Sequence, residues 1–214
     1  MKTMIAIPCM DMMHTDTVRS LVGLNHRDET QVTFSQGSLV YDGRNALTET
    51  ALAGDFDRVL WLDSDMVFGP DLEEQLHKDL DRGADMVSAL YFTRKEPIRP
   101  TVYSYLGTDR GPDGVPVPRA ESFLDYPRDT VFPVKACGFG AVMMTVRLLK
   151  KVRDTYGLPF SPMQGFGEDF SFCLRVSELG EPIFCDSRIK AGHVGLYTYT
   201  EETFRQRPLR KVDL

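Results

Sequence analysis

Cysteine is scarce in this chain. Cys9, Cys137, Cys173 and Cys185 stand alone among 214 residues, with no C-x-x-C pair. That scatter excludes a zinc-ribbon ligand set and a disulfide framework, and it reads as small core side chains in a reducing compartment. Long apolar runs are also missing. No stretch approaches the ~20 residues that span a bilayer. The segment from Met1 to Pro8 is too short for the apolar core of a secretion signal, so the expected location is cytoplasmic. Basic charge is in deficit, with 25 Lys and Arg against 31 Asp and Glu and a net charge of −6. The deficit excludes a broad nucleic-acid-binding face but leaves room for a local patch. Repeats and low-complexity tracts are absent. The remaining composition, 42% hydrophobic and 26% charged, suits one globular domain with a core and a cleft.

What is present is an alternation of element types. Residues 3–8 read as a strand closed by Pro8, and residues 15–24 as a helix with Val18, Leu21 and Val22 as its apolar stripe. Residues 31–34 alternate as a short strand. Residues 39–53 form a helix on Leu39, Ala46, Leu47 and Leu52, ended by Gly54. A buried strand at 58–62 follows, then a helix over 70–82. Pro70 suits its first position, Asp71, Glu73 and Glu74 suit the positive end of its dipole, and Gly83 suits its stop. Residues 85–90 complete a pattern that predicts a doubly wound, mostly parallel sheet. Beyond it come a Gly- and Pro-rich surface loop over 107–119, a strand over 131–136 and an amphipathic helix over 141–153. A helix over 169–179 and a short strand over 182–185 follow, laid against the same sheet.

The chemistry concentrates at four places. Arg58-Val59-Leu60-Trp61-Leu62 runs into Asp63-Ser64-Asp65, so two carboxylates stand at the carboxyl end of a strand, where open α/β sheets hold ligands. In an extended chain, residues i and i+2 point the same way, and two like charges held together favour a divalent cation that shares phosphate oxygens. Gly165-Phe166-Gly167-Glu168-Asp169 places two acids where a glycine-rich turn enters a helix, either as caps or as a general base for an incoming hydroxyl. Gly192-His193-Val194-Gly195 offers an imidazole free of flanking bulk, either bonded to backbone or ligating a metal. Gly138-Phe139-Gly140 is either a tight strand-to-helix turn or a backbone that a sugar ring can approach. The remaining histidines, His14, His26 and His77, are expected in solvent.

In their order along the chain, these features resemble the metal-dependent glycosyltransferases of the GT-A fold, especially the family-2-like and galactosyltransferase-like inverting enzymes. The matching residues are Ile7-Pro8, Arg44-Asn45, Leu62-Asp63-Ser64-Asp65, Gly138-Phe139-Gly140, Gly167-Glu168-Asp169 and His193. The resemblance implies an α/β, Rossmann-like GT-A domain over 1–214, with a mostly parallel central sheet and flanking helices. Residues 1–90 would bind the nucleotide and residues 91–214 the acceptor and metal. It further implies Mn²⁺ or Mg²⁺ and a nucleoside-diphosphate sugar, most commonly of UDP, as donor to an acceptor hydroxyl on a glycan, protein, small molecule or nucleic acid.

Residue by residue, the resemblance puts Pro8 beside the base and Arg44 and Asn45 near the nucleotide diphosphate. Asp63 would reach the ribose, donor sugar or metal, and Asp65 and His193 would ligate the metal. Gly138, Phe139 and Gly140 would line the sugar site, Glu168 would bind a sugar, and Asp169 would be the base. Met10-Asp11-Met12 departs from the small polar loop common in such transferases. The Gln/Arg-x-x-Arg-Trp segment of processive synthases is absent, which speaks against polymerisation. Nucleotidyl transfer is a competing reading, but Pro8-Cys9-Met10-Asp11-Met12-Met13 contains neither the glycine nor the basic residue of its phosphate loop. A non-catalytic carbohydrate- or nucleotide-binding module is the other, and intact Asp65, Asp169 and His193 count against it.

Overall fold

The computed structural model describes residues 1–27, 29–111, 113–195 and 198–206. In chain order the elements are β1 (Lys2–Cys9), α1 (Thr15–Val22), β2 (Glu29–Gln36), α2 (Val40–Ala53), β3 (Arg58–Leu62) and β4 (Met66–Phe68). Next come α3 (Leu72–Asp81), β5 (Met86–Leu90), β6 (Val102–Arg110), β7 (Pro116–Ser122), β8 (Val131–Val134) and β9 (Ala136–Cys137). The last are β10 (Ala141–Thr145), α4 (Val146–Tyr156), α5 (Glu168–Glu178), β11 (Ile183–Val194), β12 (Thr198–Tyr199) and α6 (Glu201–Gln206). Among the described residues, no helix is long and apolar enough to cross a membrane.

The central sheet runs β12-β11-β5-β10-β3-β1-β2, with β4 and β8 also paired to β11. The pairs β1–β2, β1–β3 and β5–β11 are parallel, as the strand–helix alternation predicts. The sheet is mixed, because β10 lies antiparallel between β3 and β5, and β4, β8 and β12 lie antiparallel to β11. Here the expected helix over 141–153 is corrected. Residues Ala141–Thr145 are a strand, and the helix starts only at Val146. Ala, Val and Met carry no strong preference against helix, so propensity could not decide. The slot between two buried strands did. Thr145 marks the true helix start, its hydroxyl accepting from Leu148 N at 3.2 Å.

Alternate residues of the inner strands serve opposite faces of the sheet, which explains their unbroken apolar runs. Met4, Ala6, Val59, Trp61, Val142 and Met144 pack in one core with Leu47 and Ala51 of α2, Leu148 and Val152 of α4, and Phe172 of α5. Ile5, Ile7, Leu60, Leu62, Ala141 and Met143 pack in a second core with Leu72, Leu76 and Leu80 of α3.

Three further expectations change. The stripe on α1 is not a buried face, since Val18 is 41% and Val22 81% exposed and Thr17 is the residue turned inward. On α2 the buried residues are Arg44, Asn45, Leu47, Thr48 and Ala51, a face that a purely apolar pattern could not reveal. The loop expected over 107–119 is most of a hairpin, β6 against β7, closed by Gly111 N donating to Val115 O at 2.9 Å and by Gly114 at φ +77°. Pro116 and Pro118 are tolerated because β7 is the edge strand of the small sheet β7-β6-β9.

His77 is the fifth correction, being fully buried rather than solvated. Arg58 Nη1 donates to its Nδ1 at 2.7 Å, so the ring proton sits on Nε2, which faces Thr3 Oγ1 at 3.3 Å and Glu73 Oε1 at 3.4 Å. The buried Glu73 carboxylate also meets His26 Nδ1 and the Thr30 hydroxyl, each at 2.8 Å. Burial acts to raise its pKa, but the bonds from His77, His26 and Thr30 outweigh that and hold it below the ordinary value. A depressed carboxyl stabilises the fold above its unfolded pKa, and that stability is lost as pH falls through the folded value. Glu73→Gln is therefore expected to cost about 1–3 kcal/mol near neutral pH. Chemical denaturation at a series of pH values should show the deficit shrinking below the ordinary glutamate range. A deficit independent of pH would contradict the charged state assigned to Glu73.

Candidate functional site

The site forms along the carboxyl edge of β1, β3 and β5, and the reversed direction of β10 delivers its amino end to the same edge. There Asp63 N donates to Gly140 O at 3.2 Å. His193, near the end of β11, and Glu168 and Asp169, in the first turn of α5, reach this edge from its two sides. Two clefts result. One, of about 370 Å³, is lined by Pro8, Cys9, Met10, Leu39, Arg44, Asp65 and neighbouring residues. The other, of about 330 Å³, is lined by Tyr91, Thr101, Tyr103, Gly138, Phe139 and Asp169 among others. Arg44, Asp63, Arg94, Glu168 and His193 line both, so the two clefts meet at these five side chains.

Arg44 is the cation at the junction and is only 2% exposed. Its Nη2 donates to Asp63 Oδ1 at 2.7 Å, and its Nε lies 3.5 Å from Glu168 Oε1. The guanidinium also rests against the rings of Phe139, Trp61 and Phe160, with centroids 5.3, 5.7 and 5.8 Å away. Aromatic faces and two carboxylates compensate the cost of burying the charge. Among the described residues, its Nε and Nη1 find no hydrogen-bond partner.

Asp63 and Asp65 do not point at a common centre. The chain turns after Leu62, so Asp63 goes to Arg44 while Asp65 goes to His193 and Arg94. Asp65 Oδ2 lies 3.4 Å from His193 Nε2 and accepts from Arg94 Nη1. His193 Nδ1 lies 3.1 Å from Phe92 O, where it can only donate, so Nε2 carries a lone pair when the ring is neutral and a proton for Asp65 when the ring is charged. Burial acts to raise the Asp65 pKa, but the hydrogen bond and charge of His193, with the charge of Arg94, bring it below the usual value. Asp169 moves the other way. Burial, then the adjacent charge of Glu168, raises its carboxyl to about 6. Asp169 Oδ1 accepts from Phe170 N at 2.7 Å. Among the described residues, no group of three or more His, Cys, Asp or Glu side chains gathers to hold a metal ion.

Other expected residues also make packing contacts, Gly138 and Phe139 while lining the second cleft. Asn45 Oδ1 accepts from Phe160 N at 3.0 Å and lines neither cleft. Phe139 is 1% exposed, its ring packed with Trp61, Phe160 and Phe172. The space above Gly138 and Gly140 belongs to Tyr91, whose Oη accepts from Gly140 N at 2.9 Å. A Cβ on Gly138 would lie 2.2 Å from that oxygen, and one on Gly140 would lie 2.9 Å from Met66 Sδ and from Tyr91 Cζ.

Sequence reasoning missed Tyr91, Tyr103 and Arg94. Tyr91 and Arg94 directly follow the buried strand β5, so the strand-end argument that singled out Asp63 would have found them too.

No family model matches this chain, and no curated protein matches it. Solved structures do. A197 from STIV superimposes with a TM-score of 0.63 at 20% identity, over 91% of this chain and 86% of that one. GalNAc-T7, solved with UDP, GalNAc and Mn²⁺, superimposes with a TM-score of 0.61 at 10% identity, over 91% of this chain and 44% of that one. At such identities the likeness is one of fold. The chain has a GT-A-like, glycosyltransferase-like α/β fold.

The contacts around Gly138 separate packing from ligand approach. Gly138→Ala is expected to cost about 1–3 kcal/mol, because the Tyr91 ring must shift. Combining it with Tyr91→Phe, which removes the opposing hydroxyl, should recover part of that loss. Thermal melts of both variants decide the matter, and a Gly138→Ala protein as stable as the parent would refute the packing role.

Proposed function

We propose that this chain is a glycosyltransferase that moves a sugar from a nucleoside-diphosphate sugar, UDP being the leading nucleotide, to an acceptor hydroxyl. The observation that carries the reading is the junction of two clefts at Arg44, Asp63 and Glu168, with the raised carboxyl of Asp169 lining only the second. The first cleft suits the donor, since it opens at the strand ends beside a buried guanidinium with two nitrogens unbonded to the protein. The second suits the acceptor. The GalNAc-T7 neighbour, solved with UDP and Mn²⁺, supports the choice of ligands.

The residues present fit a divalent ion bound through few protein ligands. Asp65 and the Nε2 of His193 converge, the Nδ1 bond to Phe92 O orients the ring, and a diphosphate would complete the shell. Asp65 and His193 would hold Mn²⁺ or Mg²⁺, which when bound neutralises charge on the departing diphosphate. Arg44 adds fixed positive charge at the junction, where it is already oriented and needs no reorganisation. Asp63 and Glu168, both ion-paired to Arg44, are placed to accept hydrogen bonds from sugar hydroxyls. Asp169 takes the proton of the acceptor hydroxyl as its oxygen attacks the anomeric carbon, giving inversion in a single displacement. A carboxyl raised to about 6 is a stronger base than an ordinary aspartate and is still ionised at neutral pH.

Asp169→Asn keeps the shape and the bond from Phe170 N but has no basicity. Turnover should fall on the order of 10² to 10⁴-fold, with donor Kd nearly unchanged. The parent's rate should decline below about pH 6 as Asp169 takes up its proton. The linkage runs opposite to that of Glu73. A raised carboxyl favours folding when protonated, and that contribution is lost as pH rises through about 6, so the Asn variant should melt no lower than the parent at neutral pH. Near-parental turnover in a folded variant would remove Asp169 from the mechanism and leave Glu168 as the next candidate.

The metal assignment has its own test. Asp65→Asn and His193→Ala should each weaken Mn²⁺-dependent UDP binding in calorimetric titrations, the aspartate change more because it removes a charged ligand. Parental affinity in both variants would refute these ligands.

A further inference from the structure

Arg94 belongs to the segment between β5 and β6, which is closed on itself by Thr93 N donating to Arg99 O at 2.8 Å and Arg99 N donating to Thr93 Oγ1 at 3.0 Å. Its side chain leaves this segment and crosses to the strand end opposite, where Nη1 donates to Asp65 Oδ2. That oxygen is the one His193 Nε2 faces at 3.4 Å. The side chain is 55% exposed, lines both clefts and makes no second hydrogen bond among the described residues, so it can swing without breaking a packed core.

We propose that Arg94 is an internal cation that holds Asp65 until a diphosphate enters, and so makes metal binding conditional on the nucleotide. The inference rests on the donor-site reading given above. A guanidinium bonded to Asp65 Oδ2 and a divalent cation on the same carboxylate repel each other, and the bond to Arg94 already neutralises charge that would otherwise attract the ion. Without nucleotide, the ion must bind beside that cation or displace it. With a diphosphate in the cleft, the guanidinium gains a partner it matches at least as well as a carboxylate, since its planar fork pairs with both. Transfer of Arg94 from Asp65 to the phosphates then frees the metal position and adds a donor to the nucleotide. The two ligands thereby help each other bind, and the help must be reciprocal.

The lock makes predictions of opposite sign for the two ligands. Arg94→Ala should bind Mn²⁺ alone about ten-fold more tightly than the parent, the equivalent of removing one charge-assisted hydrogen bond from the competing side. The same variant should bind UDP alone more weakly, and the factor by which UDP improves the Mn²⁺ Kd should shrink. Free Mn²⁺ can be followed by electron paramagnetic resonance and UDP by calorimetry, with circular dichroism to confirm folding. Arg94→Lys, which keeps the charge but not the fork, should fall between the two. In an Asp65→Asn background the Arg94→Ala change should no longer alter Mn²⁺ binding. An Arg94→Ala protein that binds Mn²⁺ no better than the parent, or whose coupling to UDP is unchanged, would overturn the lock. A parent that binds no UDP with or without Mn²⁺ would instead sink the donor-site reading, while the comparison in Mn²⁺ alone would still judge the contact between Arg94 and Asp65.

Discussion

The buried guanidinium of Arg44 joins three parts of the fold. It projects from α2, pairs with Asp63 beyond β3 and approaches Glu168 at the start of α5, against the rings of Trp61, Phe139 and Phe160. A cation so placed is tolerable only while all its partners stay put, because an unpaired buried charge costs several kcal/mol. Asp63 and Glu168 in turn border both clefts, and Phe139 borders the second. The requirement to neutralise one charge therefore fixes the wall between them, and Glu168 cannot drift from Asp63 without exposing Arg44 to an uncompensated interior.

The reversed strand β10 supplies the second constraint. Its amino end arrives at the carboxyl edge of β3 and β5, so Gly138 and Gly140 meet the strand-end residues Asp63 and Tyr91. The glycines are needed because the Tyr91 ring lies over their backbone, and a side chain on either would collide with it. Tyr91 in turn meets His193 edge to face, with ring centroids 5.7 Å apart. Packing thus passes from a glycine turn to the imidazole through one aromatic ring, and an acidic chain holds its site geometry partly by apolar contact.

Electrostatics then differentiates carboxyls that look alike on paper. Asp65, facing His193 and Arg94, is drawn below the ordinary range. Asp169, buried and beside Glu168, is raised to about 6. Neighbours push two residues of one type in opposite directions, one in each of the two adjoining clefts. The same physics operates away from the clefts, where the Glu73 carboxylate is kept ionised in the interior by donors from α3, β2 and the segment before it.

The sequence by itself determined the α/β class, strands β1, β2, β3 and β5, and the strand-end position of Asp63 and Asp65, but not the short strand β4. Those follow from local pattern: apolar runs of strand length, helix stops at glycine, and acids placed just after a buried run. The pattern misled at 141–153, where a run acceptable to either helix or strand became a strand because β3 and β5 left a slot for one. It misled again at the hairpin β6–β7, whose prolines lie on an edge that local pattern does not reveal. Only tertiary structure decided that Asp63 turns to Arg44 while Asp65 turns to His193, that Asn45 bonds Phe160 N away from both clefts, and that Arg94 reaches the site. Spacing along a chain says which residues lie near one another in order, whereas the partner a charge finds depends on strands and turns that come together from distant positions. Local periodicity carries no trace of that choice.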